Sequence, residues 1–65
     1  MKLKDRIRML REKRHLSQNQ VAKLLEINQS TVSYWEKGRM EPNTTQRKKL
    51  CALLEISQAE LFEGV

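Results

Sequence analysis

Gln18-Asn19-Gln20-Val21-Ala22-Lys23-Leu24-Leu25-Glu26-Ile27-Asn28-Gln29-Ser30-Thr31-Val32-Ser33-Tyr34-Trp35 is the stretch whose reading decides the fold. It reads as two short helices joined by a tight turn. A helix-turn-helix fixes its helices at a steep angle, so it needs a small residue where they approach, an apolar plug in the turn and inward apolar residues on the second helix. Ala22, Ile27 and the pair Val32 and Trp35 meet these needs at compatible spacing.

Working outward, Ser17 with Gln20 three residues on is a capping-box pattern, so the helix after Ser17 should run to about Leu25. Asn28 is the next N-cap candidate. It opens a helix expected to pass through Trp35 to about Lys37, where Gly38 is free to take a left-handed backbone. Upstream, Leu3, Ile7 and Leu10 recur at i, i+4, i+7 with charged residues between them, the mark of an amphipathic first helix ending near Arg14-His15. Downstream, Arg39-Met40-Glu41-Pro42 is a loop. Asn43 with Gln46 caps a fourth helix whose apolar side is Leu50, Cys51 and Leu54, and Ser57 with Glu60 opens a short fifth carrying Leu61 and Phe62. No stretch alternates with period two. The expectation is an all-α, compact five-helix domain spanning residues 1–65 as a single unit.

Leu24-Leu25-Glu26-Ile27-Asn28-Gln29 recurs as Leu53-Leu54-Glu55-Ile56-Ser57-Gln58. Each copy runs from an apolar helix end through a turn and an inward Ile to a polar N-cap, so both mark helix-to-helix corners. Two copies are too few for a solenoid, which needs three or more units.

Thirteen Lys and Arg against eight Asp and Glu give a formal charge of +5, unevenly placed. Residues 1–25 carry eight bases and two acids, residues 26–49 five and three, and residues 50–65 three acids and no base. The N-terminal part is therefore expected to look toward a polyanion and the C-terminal part away from it. The single cysteine, Cys51, excludes an intramolecular disulfide and a multi-cysteine zinc site, and His15 has no partner at metal-ligand spacing. No metal or cofactor is expected. Without an apolar run near 18 residues, a signal-peptide core or a lipidation signal, the chain is expected to be cytoplasmic and not membrane-bound.

Stepping 100° per residue along the third helix puts Gln29, Ser30, Ser33, Tyr34 and Lys37 on one side and Val32, Trp35 and Glu36 roughly opposite. Short and amide side chains suit base edges, and Gln pairs bidentately with adenine in the major groove. The plain alternative is a solvated helix face. Trp35 on the Val32 side reads as core rather than as a stacking platform for single strands. Lys37 and Arg39 fit phosphate contacts or simple solvation, and Cys51 reads as an inert buried thiol.

With these residues in place the chain resembles the Cro/repressor family of small helix-turn-helix domains, over about residues 3–62. The resemblance is carried by Leu10-Arg11, Leu16-Ser17-Gln18, Val21-Ala22, Gln29-Ser30-Thr31-Val32-Ser33, Trp35-Glu36-Lys37-Gly38, Pro42 and Ile56-Ser57. It implies that Gln18 holds a phosphate oxygen and buttresses Gln29. It places Tyr34 where the family contacts DNA, on a thymine methyl or a phosphate, unless the ring only covers the helix edge. It further implies that Arg11 and Glu36 form a partly buried structural ion pair. Two departures matter. The family often has Gly at the corners matching His15, Glu26 and Glu55, where a left-handed Glu should carry ~1 kcal/mol of strain. Inward Leu residues usually begin the fourth helix, where this chain has Thr44 and Arg47, so its first turns are expected to pack loosely.

Two functions from different classes follow. The first is a sequence-specific regulator of transcription that binds double-stranded DNA, a repressor acting as a homodimer on a two-fold operator with the third helix in the major groove. The alternative is a protein-interaction module or antitoxin that docks a partner protein at the acidic C-terminal helix, using Leu53, Leu61 and Phe62. The same residues would serve a homodimer seam. An enzyme is not expected: there is no nucleophile–base set, phosphate-binding Gly loop or metal cluster.

Overall fold

The computed structural model describes all residues, Met1–Val65. Five helices follow in order: α1 Leu3–Lys13, α2 Gln18–Leu25, α3 Gln29–Lys37, α4 Thr44–Leu54 and α5 Gln58–Leu61. None is long and apolar enough to cross a membrane. One core draws on every helix: Ile7 and Leu10, then Val21, Ala22 and Leu25, then Val32 and Trp35, then Leu50, Cys51 and Leu54, and finally Leu61. Ala22 is buried between α2 and its neighbours and Ile27 packs half-buried against the core, the places a helix-turn-helix gives to its small residue and its plug.

Three of the helix starts carry the reciprocal cap legible in the sequence. Ser17, Asn43 and Ser57 each accept the backbone N–H of the residue three on, while Gln20, Gln46 and Glu60 reach back to the cap N–H. Each lost cap would cost about 1 kcal/mol. Asn28 holds the N-cap position of α3 with extended backbone, but its side chain makes no cap bond.

The first four helices end in one way. His15, Glu26, Gly38 and Glu55 take left-handed φ values of 57°, 58°, 75° and 56°. The next residue's N–H then turns back onto a carbonyl five positions earlier: Leu16 to Arg11, Ile27 to Ala22, Arg39 to Tyr34 and Ile56 to Cys51. This is the Schellman closure of orphan carbonyls, which glycine usually enables. Three of these corners do without glycine and are each followed by an apolar residue, Leu16, Ile27 or Ile56, that packs on the core. Burying that residue offsets the left-handed strain. At the fourth corner a charged residue follows, so no core burial offsets the strain of a left-handed side chain, and a Cβ on Gly38 would lie 3.1 Å from Lys4 Cδ, a tight approach that glycine avoids.

The first turns of α4 are loosely packed, because its buried residues begin only at Leu50. Thr44 is exposed, and Arg47 lies with its guanidinium 5.9 Å from the centroid of the Phe62 ring. One reading needs correction. Leu61 is not a free docking residue: it is 0% exposed and anchors α5 in the core, because the Ser57 cap turns the helix so that its fourth residue points inward. The C-terminal acids meet the first helix. Glu55 pairs with Arg14 at 2.9 Å and Glu63 lies 3.8 Å from Arg6, whose guanidinium also donates two hydrogen bonds to the Glu60 carbonyl. Arg6 of α1 and Arg14 at its C-cap thus hold the acidic end against the first helix.

Candidate nucleic-acid interface

The site grows from the two faces of α3. On one, Val32 and Trp35 are buried and the Glu36 side chain is only 4% exposed. On the other, Gln29, Ser30, Tyr34 and Lys37 are exposed and Ser33 is half-exposed. The sequence-derived set therefore divides as helical geometry requires. Trp35 is core and cannot stack on a base; its indole N–H is buried without a hydrogen-bond partner.

What locks this orientation is a polar cluster behind the helix. Arg11 Nε donates to Glu36 Oε2 at 2.7 Å and Nη2 to Oε1 at 2.9 Å, a bidentate pair. Arg11 Nη1 donates to the Leu16 carbonyl at 2.7 Å, tying the same guanidinium to the chain entering α2. Hydrogen bonding to Glu36 raises the Arg11 pKa against the lowering effect of burial. One guanidinium thereby joins the end of α1, the approach to α2 and the last turn of α3.

Gln18 belongs to this cluster. Its amide nitrogen donates to Glu36 Oε1 at 3.2 Å. Because a carboxylate only accepts, the contact fixes which end of the amide is nitrogen and leaves one N–H free at the start of α2. Gln18 makes no hydrogen bond to Gln29 here; its amide is held by the buried carboxylate. The resemblance implied the ion pair, but the Leu16 carbonyl as its third member had no signal in the sequence.

Lys37 closes α3 and Arg39 follows the Gly38 corner, both exposed. Neither has a carboxylate within salt-bridge distance: the four ion pairs are Arg6–Glu63, Arg8–Glu12, Arg11–Glu36 and Arg14–Glu55. Cys51 lies apart from this face. Burial pushes its thiol pKa up and the residue is enclosed, which fits an inert side chain.

α2 and α3, joined through the Ile27 turn and packed on Ala22, Val32 and Trp35, make a helix-turn-helix whose second helix presents a polar face. A family model described as helix-turn-helix matches residues 7–63, and the chain belongs to this family, of the Cro/repressor type. Among solved structures, the DNA-binding domain of the P22 C2 repressor (1–76) superposes with a TM-score of 0.91 at 28% identity, covering 98% of this chain and 84% of that one. The restriction-modification controller protein C.AhdI from Aeromonas hydrophila gives 0.86 at 33% identity, over 92% of this chain and 91% of that one. The HTH-type transcriptional activator BcrR of Enterococcus faecalis is 28% identical over 64 residues, which span 98% of this chain but 31% of that protein.

Proposed function

We propose that the chain binds double-stranded DNA sequence-specifically and regulates transcription, with α3 in the major groove. The observation that carries this is the exposed face of Gln29, Ser30, Ser33, Tyr34 and Lys37 on a helix whose opposite face is locked by Trp35 and the Arg11–Glu36 pair. Gln29 and the serines are the base readers. Tyr34 meets a thymine methyl or a phosphate, and Lys37, Arg39 and the free N–H of Gln18 fix register on the backbone. Repression is the simplest mode: occupying an operator needs only this face, whereas activation needs a second surface for the transcription machinery. Selection of bound sequences from a random duplex pool tests the reading. Enrichment of a defined half-site supports it; no enrichment, or binding insensitive to salt, would favour a protein-docking module instead.

The nine residues of α3 reach few base pairs, so the proposed functional unit is a homodimer on half-sites about one helical turn (~10 bp) apart. Its seam is assigned to Phe62, which is 38% exposed and carries the Arg47 guanidinium on its ring. Phe62→Glu should abolish cooperative filling of a two-half-site duplex and leave single half-site binding intact. Retained cooperativity in a folded variant would place the seam elsewhere.

A further inference from the structure

The arginines and lysines of α1 have separate fates. Arg6, Arg8 and Arg11, with Arg14 at its C-cap, are each engaged by a carboxylate. Lys2 and Lys4, at its start, have none within salt-bridge distance, and neither has Lys37 at the end of α3. These three lysines line one cleft of ≈ 410 Å³ between the two helices, with Glu41 as the acid on its wall and Ile7 and Trp35 among its apolar lining. Three cations against one anion leave the cleft with a surplus of two positive charges.

The arrangement is built rather than incidental. Arg11 pairs with Glu36 at one end of α1, and toward the other end the Lys4 stem runs past Gly38, with its Cδ 3.1 Å from where a Cβ would be. The start of α1 is therefore held beside the last turn of α3, and Lys4 is placed by packing as well as by charge. Like charges that outnumber the acid beside them cost free energy unless an anion joins them, and a concave, partly apolar site focuses their field. Lys37 belongs both to this cleft and to the proposed DNA face, so a backbone running past α3 continues into it.

We propose that the cleft between the start of α1 and the end of α3 seats a DNA backbone phosphate, with Lys2 and Lys4 extending the footprint beyond the helix-turn-helix. The proposal rests on the DNA-binding reading. Lysine suits the role because its ammonium acts as a point charge on a flexible stem, giving attraction without base preference.

The test compares Lys2→Gln/Lys4→Gln with Lys48→Gln/Lys49→Gln, which makes the same charge change on α4, outside the cleft. Duplex affinity is measured by fluorescence anisotropy across a salt series, on a selected site and on random sequence, with helicity checked by circular dichroism. The cleft variant should lose about tenfold in affinity equally on both duplexes and flatten the slope of log K against log salt by about one unit, the signature of one phosphate. The α4 variant should change the slope by much less. Equal effects of the two variants would overturn the cleft and leave the DNA-binding reading standing, as would a loss confined to the selected site. No salt dependence in the unmodified protein would overturn both.

Discussion

Residues 24–29 and 53–58 make the same corner and lead to different structures. In each copy a buried Leu, Leu25 or Leu54, ends a helix, a Glu turns left-handed, and the following Ile closes back onto the carbonyl of a buried small residue, Ala22 or Cys51. Four residues after each N-cap an apolar side chain, Val32 or Leu61, is 0% exposed. There the likeness stops. α3 continues through Trp35 and Glu36 because the next turn meets α1 and the Arg11 guanidinium. α5 ends at Leu61, and the following Phe62 points to Arg47 and solvent. A corner is a local device, whereas the length and use of the helix it launches depend on what the next turn touches.

The largest expected effect separates the two anchors. Glu36→Ala strands the Arg11 charge and should cost about 3–5 kcal/mol in equilibrium denaturation. Replacing Arg11 and Glu36 together by apolar residues should recover much of that loss, because no buried charge is then left alone. Leu61→Ala should cost about 2–5 kcal/mol through a cavity alone, with no second-site recovery of this kind. Additivity of the Arg11 and Glu36 changes would mean that the pair does not brace α3.

A middle-sized effect separates Gln29 from Gln58, which hold the same place in the two copies and are both exposed. Gln29→Ala should cost ~1–3 kcal/mol at a selected DNA site and far less on random duplex, the pattern expected of the proposed base-reading amide. Gln58→Ala should leave both affinities within measurement error. Equal loss on both duplexes for Gln29→Ala would reduce it to a backbone contact.

The smallest effect should unite the copies. Glu26 and Glu55 share φ near 57° and both face solvent, so Glu26→Gly and Glu55→Gly should each leave stability unchanged or raise it by up to ~1 kcal/mol, despite the greater unfolded-state freedom of glycine. Thermal denaturation of the single and double variants measures this. A clear loss at one site alone would show that its carboxylate contributes more than its strain, and Glu55, paired with Arg14, is where that would occur.

Periodicity, caps and corner residues were sufficient to mark the five helices, the inward set Ala22, Ile27, Val32 and Trp35, and the outward face of α3. All of these rest on interactions within about one turn, so the order of residues fixes them. Tertiary structure decided the partners. Gln18 bonds Glu36 and not Gln29, Arg6 and Arg14 hold the acidic end, Leu61 enters the core while Phe62 stays out, and Lys2 and Lys4 come to stand beside Lys37. These pairings join residues up to 57 positions apart in the chain. Charge and hydropathy along a sequence show that an arginine needs an acid or a leucine a core, but which one it meets depends on how the helices pack, because Coulomb and packing forces act through space.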